Sequence, residues 1–252
     1  MKALYTAATG MTAQQTRIDN IANNLANVNT TAYKKSRHTF QDLMYEELNT
    51  QAAAGSEVSA SAELGSGVEL SGIVKNHAQG SSIVTGGTLD FSIQGSGYFK
   101  IETADGTPLY TRDGSFKTDD QGNLVTSSGL FVAGGTNIPS GSSVSVTGDG
   151  IVMDPTTEEE FGRIEVVDFT NPSGLRSAGG NLYEATAQSG DEMSIVMSSD
   201  GVHVAQGELE GSNVDVAEEL IEMIMAQRAY ELTSKVVQAS DETLQIAANL
   251  RR

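Results

Sequence analysis

The chain has 252 residues, 38% hydrophobic and 19% charged, with no cysteine and no tryptophan. That length and balance support one large domain or two modest ones and exclude a disordered chain, while the lack of cysteine excludes disulfides, thiolate catalysis and cysteine-ligated zinc. The formal net charge is −18, of which the first fifty residues carry +1 and residues 212–252 carry −3, leaving −16 on the middle; such a surface repels phosphate, argues against nucleic-acid binding, and reads as a solvated face.

The N-terminus, Met1 to Gly10, lacks an apolar stretch ending in a cleavage site, so no cleaved secretory signal is expected. No apolar run approaches the roughly 18 residues of a membrane span, so no direct membrane insertion is expected.

The first thirty residues read as one amphipathic helix. Leu4, Met11, Ile18 and Leu25 recur every seven residues, and Ala7, Gln14, Ile21 and Val28 form the interleaved set. This is a coiled-coil seam over about four heptads. Gly10 weakens it, because an interior glycine costs about 1 kcal/mol of helix stability. The run Asn27-Val28-Asn29-Thr30-Thr31 ends the helix with poor helix formers.

Residues 49–64 are small and polar and read as an extended connector. From about Val68 to Glu210 the texture becomes short alternating strands. Asp105-Gly106, Asp113-Gly114, Gln121-Gly122, Asp149-Gly150 and Asp200-Gly201 each suit a hairpin or tight turn. Strands are expected at Phe91–Gln94, Tyr98–Glu102, Leu109–Arg112, Ile164–Phe169 and Val202–Leu209.

A second helix closes the chain. Ser212-Asn213-Val214-Asp215 offers capping residues, and Asp215, Glu218 and Glu219 suit the positive end of a helix dipole. Val216, Met223, Tyr230, Val237 and Leu244 then repeat every seven, with Leu220, Gln227, Ser234, Asp241 and Ala248 on the alternate seam. Two narrow seams at opposite ends of one chain call for a partner, in each other or in neighbouring copies. The expected fold class is α+β: N- and C-terminal helices paired as a coiled coil, with an all-β domain inserted between them. By residue, 1–30 is the N-terminal helix, 31–75 an extended connector or hairpin, 76–210 the β-rich domain and 211–252 the C-terminal helix. The residues expected to carry helix packing and assembly are Leu4, Met11, Ile18, Ile21, Leu25, Val28, Val216, Leu220, Met223, Tyr230, Val237 and Leu244.

Catalytic chemistry finds little support. His38, His77 and His203 are far apart in sequence, without ligands at metal spacing. Gly95-Ser96-Gly97 lacks the third glycine of a dinucleotide loop, since position 100 is Lys100. Asp113, Asp119 and Asp120 miss the alternation of a calcium loop and read as turn residues. The expectation is a non-enzymatic protein with no cofactor and no metal.

Three separated motifs carry a resemblance. Ala22-Asn23-Asn24-Leu25-Ala26-Asn27-Val28-Asn29-Thr30-Thr31-Ala32-Tyr33-Lys34-Lys35 resembles the N-terminal signature of flagellar rod and hook proteins. Leu209-Glu210-Gly211-Ser212-Asn213-Val214-Asp215, running into Met223 to Glu231, is similar to the C-terminal signature of the same axial family. Tyr110-Thr111-Arg112-Asp113-Gly114-Ser115-Phe116, followed by Gly122 to Thr126, resembles that family's β domain. Phe40 to Leu48 and Gly65-Ser66-Gly67-Val68 resemble the distal-rod branch; proximal-rod and hook-type subunits are the nearer alternatives, and a peptidoglycan-acting envelope enzyme the distant one. Ala32-Tyr33 stands where Gly-Phe is more usual, and Thr233 where asparagine is expected. The resemblance implies export by the flagellar type III apparatus and a helical homopolymer, a rigid drive shaft in the basal body that crosses the periplasm and carries torque to the hook. The implied partners are further copies of the chain, proximal rod proteins, the hook protein, rod-surrounding ring proteins and the export apparatus.

Overall fold

A computed structural model describes residues 2–48, 62–103, 105–139, 142–195 and 201–250. It is an α+β fold, with a helix near each end of the chain and the strands between them in sequence. The chain divides into two compact units: one comprises Met1–Ala26, Ser36–Val74 and Asp215–Arg252, the other Asn27–Lys35 and Lys75–Val214.

In the first unit, helix α1 spans Lys2–Ala26 and helix α2 Val216–Leu250. The helix expected to run to residue 30 stops earlier: after Ala26 the chain turns, with Thr30 N–H donating to the Asn27 carbonyl at 3.1 Å. Val28 therefore lies in a turn rather than on a helical seam. At the other end Asp215 caps α2, its Oδ1 accepting from the N–H groups of Ala217 at 2.8 Å and Glu218 at 3.2 Å, as a carboxylate at a helix N-terminus should. Strands β1 (Ser36–Asp42) and β4 (Val68–Lys75) pair, and so do β2 (Tyr45–Leu48) and β3 (Ala62–Gly65). The small polar connector expected at 49–64 is thus shorter at its end, because Ala62 onward is strand; positions 49–61 lie outside the described residues. Gly67 is required here. Its φ is +120°, and a Cβ would sit 2.4 Å from Thr9 Oγ1 on α1.

The second unit holds β5 (Ser82–Val84), β6 (Phe91–Gln94), β7 (Tyr98–Glu102), β8 (Pro108–Thr111), β9 (Lys117–Thr118), β10 (Leu124–Val125), β11 (Phe131–Val132), β12 (Ser145–Val146), β13 (Ile151–Met153), β14 (Glu160–Arg163), β15 (Val166–Phe169), β16 (Arg176–Gly179), β17 (Leu182–Glu184), β18 (Glu192–Ser194), β19 (His203–Gln206) and β20 (Glu208–Glu210). Its main sheet runs β16-β17-β8-β7-β11-β10-β9, with β15 bridging β7 and β18, and these neighbouring strands pair antiparallel. Both faces of β7 carry buried residues. Phe99 and Ile101 point into a core with Phe91, Ile93 and Val204, while Tyr98 joins Tyr110, Phe169 and Tyr183 on the opposite face. Tyr98 is thus buried on one face and Phe99 and Ile101 on the other, whereas Lys100 and Glu102 further along the Tyr98 face reach towards solvent.

Three turn dipeptides behave as expected: Asp105-Gly106 connects β7 to β8, Gln121-Gly122 connects β9 to β10 and Asp149-Gly150 connects β12 to β13, with all three glycines at positive φ. Asp113-Gly114 does not make a hairpin. A Cβ on Gly114 would lie 1.7 Å from the Phe91 carbonyl oxygen, so the glycine is there for close backbone approach. The strand expected over Val202–Leu209 is two, β19 and β20, because Gly207 at φ +79° breaks the extended backbone. Asp200 falls outside the described residues.

Candidate assembly surface

Helices α1 and α2 lie alongside each other and run antiparallel. The Asn24 amide donates to Glu219 Oε2 at 3.1 Å, Arg17 Nη2 pairs with Glu222 Oε2 at 3.2 Å, and a methyl placed on Gly10 would lie 3.5 Å from Thr233 Cγ2. Each step towards the N-terminus of α1 thus meets a later residue of α2. Gly10, a defect by helix propensity, faces the Thr233 side chain of α2.

The expected seam residues are not equally covered. Ile21 is buried, and Leu4, Met11, Ile18 and Leu25 are half-buried, as are Met223, Tyr230 and Val237 on α2. Val216, Leu220 and Leu244 are exposed. Heptad spacing missed the residues that are most completely enclosed, Ala226, Asn24 and Glu219. Asn24 also accepts from the Ser36 N–H and donates to the Ser36 carbonyl, both at 3.0 Å, while Asn20 donates to that carbonyl at 2.8 Å. The helix asparagines therefore hold the start of β1.

The face of α2 turned away from α1 is the larger surprise. Ile221, Ile224, Met225, Leu232 and Val236 form an apolar stripe, with Ile221 60% and Leu232 62% exposed. Their spacing of one, three, four, seven and eleven residues keeps them on one side, opposite Glu219, Ala226 and Tyr230. A helix apolar on two opposite faces is suited to being enclosed on both. The signal was legible, had every apolar position of α2 been plotted around the helix instead of sieved at seven-residue spacing.

The second unit contains a separate constellation, built around the N-terminal signature. The segment Asn27–Lys35 lies against the unit's strands through its backbone. Ala32 N–H donates to the Glu210 carbonyl at 2.8 Å, Asn213 N–H to the Tyr33 carbonyl at 3.3 Å, and Asn76 N–H to the Lys35 carbonyl at 2.8 Å. Asn213 Oδ1 accepts from the Lys35 N–H at 2.7 Å, and the Asn181 amide donates to the Thr31 carbonyl at 2.7 Å. Ala32 is fully buried at φ +56°, a left-handed conformation. Ala32 holds that conformation although a Cβ disfavours it.

Lys34 is completely buried; its ammonium donates to Glu210 Oε1 at 2.5 Å and to the Ala78 carbonyl at 2.8 Å. Glu210 Oε1 also accepts from Gly80 N–H at 2.9 Å, and its Oε2 from Arg112 Nη1 at 3.2 Å. Arg112 Nη2 reaches the Gly95 carbonyl at 2.8 Å, and its guanidinium lies 5.4 Å from the Tyr98 ring centroid. Lys75 Nζ sits 5.0 Å from the Tyr33 ring centroid. Burial lowers the Lys34 pKa below the ordinary lysine value, opposed by Glu210 and assisted by Arg112. Burial first, then Lys34, Lys75 and Arg112, push His77 down to about 4. His77 is thus a neutral partner for Tyr98, whose hydroxyl lies 2.8 Å from its Nδ1. Of the other candidates, Asp113 and Asp119 accept from backbone N–H groups two residues on, as turn residues do.

Comparison with known proteins gives this arrangement a context. Residues 4–34 match the flagella basal body rod protein family, 92–153 the flagellar hook protein FlgE/F/G D1 domain, and 205–250 the flagellar basal body rod FlgEFG protein C-terminal family. These matches define a class, the structural subunits of the flagellar rod and hook. Flagellar basal-body rod protein FlgG of Borreliella burgdorferi is 44% identical over 263 residues, covering 100% of this chain and 99% of that protein. FlgG of Agrobacterium fabrum is 41% identical, covering 98% of each chain, and FlgG of Bacillus subtilis is 41% identical, covering 100% of each. The chain belongs to the FlgG family of flagellar basal-body rod proteins.

Proposed function

We infer that this chain is a structural subunit of the flagellar distal rod, and that it assembles through the outward face of α2. The single observation that carries the assembly reading is the apolar stripe Ile221, Ile224, Met225, Leu232 and Val236, left uncovered on a helix whose other face is already occupied by α1. Five large apolar side chains exposed on one side of α2, with Arg228 among them, leave that side suited to packing against further copies. Head-to-tail contacts that do not close on themselves produce an open helical filament.

In this reading α1 and α2 form an antiparallel coiled coil at the level of the subunit, and the β-rich segment between them is an inserted domain. The antiparallel contacts at Asn24, Arg17 and Gly10 support the pairing. The chain is read as a first helix ending at Ala26, a connector to about residue 75, a β-rich domain to about 210 and the second helix beyond it. The half-buried seam residues Leu4, Met11, Ile18, Met223, Tyr230 and Val237 pack within the pair, whereas Val216, Leu220 and Leu244 serve contacts with neighbouring copies. The subunit is not an enzyme; its work is to be stiff. Its partners are other copies, the adjoining proximal rod and hook subunits, the surrounding ring proteins and the flagellar export apparatus, which secretes it without a cleaved signal into the periplasm-spanning shaft that transmits motor torque.

Placing an aspartate at Ile224 tests this. A carboxylate there is harmless in water but is buried unpaired in an assembled rod. Ile224→Asp is expected to abolish rod elongation and motility while leaving the near-UV circular dichroism of the purified chain unchanged. Normal rods built from this variant would overturn the assembly reading.

A further inference from the structure

The segment Asn27–Lys35 is attached in a way that leaves the rest of its unit complete without it. Neither of the unit's two hydrophobic clusters draws a buried residue from it. Its attachment includes backbone and asparagine hydrogen bonds, Tyr33 beneath Lys75, the Lys34–Glu210 ion pair and the bond from Lys34 to the Ala78 carbonyl. Were it to lift away, Lys34 would carry its charge into water. Glu210 would keep Arg112 and the Gly80 N–H, and Arg112 would keep the Gly95 carbonyl. No buried charge would be stranded, which is unlike the loss of one partner from a simple buried pair. Two features oppose docking: the dehydration of Lys34 and the left-handed backbone of the fully buried Ala32.

We propose that residues 27–35 are a closing strap: the β-rich unit folds without them, and docking of Lys34 onto Glu210 is a separate, reversible step that makes the subunit competent to assemble. The gating half of the proposal rests on the assembly reading above. Asn27 directly follows Ala26, the last residue of α1, so the strap is continuous in sequence with the helix that pairs with α2.

Hydrogen–deuterium exchange on the full-length monomer tests the strap whether or not rods form. Lys34→Glu sets a carboxylate against Glu210 and should release the strap. The amides of Ala32 and Lys35, and those of Asn76 and Asn213 that donate to it, are expected to lose protection at least about tenfold, while amides of β6, β7 and β15 keep theirs. Ala32→Gly removes the backbone cost and should act oppositely, raising protection of the same amides about fivefold. Loss of protection in β7 and β15 together with the strap would overturn the proposal, because the strap would then be part of the fold. Unchanged strap protection in both variants would also overturn it. In rod elongation seeded with preformed rods, Lys34→Glu monomers should fail to add and Ala32→Gly monomers should add at least as fast as the parent. Elongation by Lys34→Glu at the parental rate overturns the gating. Failure of the parent chain itself to elongate would instead count against the assembly reading, so the two failures are distinguishable.

Discussion

Replacing Glu210 by glutamine removes one charge and disturbs two cations at once. In the native unit, Lys34 and Arg112 share this carboxylate, and all three side chains are at least nearly fully enclosed. Glutamine keeps the shape and can still accept a hydrogen bond, but it leaves Arg112, and Lys34 for as long as residues 27–35 stay docked, buried without a counter-charge. Breaking a buried pair in this way costs roughly 3–5 kcal/mol, a large part of the 5–15 kcal/mol that is typical of a domain. With a urea dependence of about 2 kcal/mol per molar, the unfolding midpoint should fall by roughly 2 M. The pH dependence is diagnostic. Burial already holds the Lys34 pKa below the ordinary lysine value of 10.5, and losing Glu210 removes the main force raising it. In the variant the unfolded chain binds more protons than the folded one over the range between the two Lys34 pKa values, so the deficit should shrink as pH rises towards 10. Tyrosine absorbance and near-UV circular dichroism follow the transition, since Tyr98, Tyr110 and Tyr183 are buried. A loss under about 1 kcal/mol that does not vary with pH would refute the electrostatic account of this cluster.

Two further outcomes follow from local geometry. Gly114→Ala forces a Cβ to within 1.7 Å of the Phe91 carbonyl oxygen, a backbone atom that cannot rotate away; the β-rich unit should lose about 3 kcal/mol or more, read as a lowered unfolding midpoint. His77 should titrate near 4 by nuclear magnetic resonance, against an ordinary 6.5. Because its folded pKa is depressed, folding opposes proton uptake between those values, and the His77 contribution should erode stability as pH falls from 6.5 towards 4. A His77 pKa near 6.5 would show that the neighbouring cations do not reach it.

Some of this structure was legible in the sequence, for definite reasons. Seven-residue spacing located both helices. Alternation and turn dipeptides located β6 and β7 with their observed bounds. The failures have equally local causes. The N-terminal helix was carried to residue 30 because Val28 continued the heptad, whereas the poor helix formers after Ala26 end it. The single strand expected over 202–209 ignored the positive φ of Gly207. The outward stripe of α2 escaped because searching for one seam discards the opposite face. Nothing local could have joined Lys34 to Glu210, 176 positions away, or Arg112 to Glu210, 98 positions away. Those pairings exist only once the sheet has formed.

The central claim is that neighbouring copies cover the outward face of α2, and Met225 reports on it directly. Its side chain is 59% exposed in the single chain, so dilute peroxide should convert it readily to the sulfoxide in the monomer. In assembled rods the account predicts that oxidation at Met225 slows at least about tenfold, quantified by peptide mass spectrometry. Equal rates in monomer and rod would contradict it.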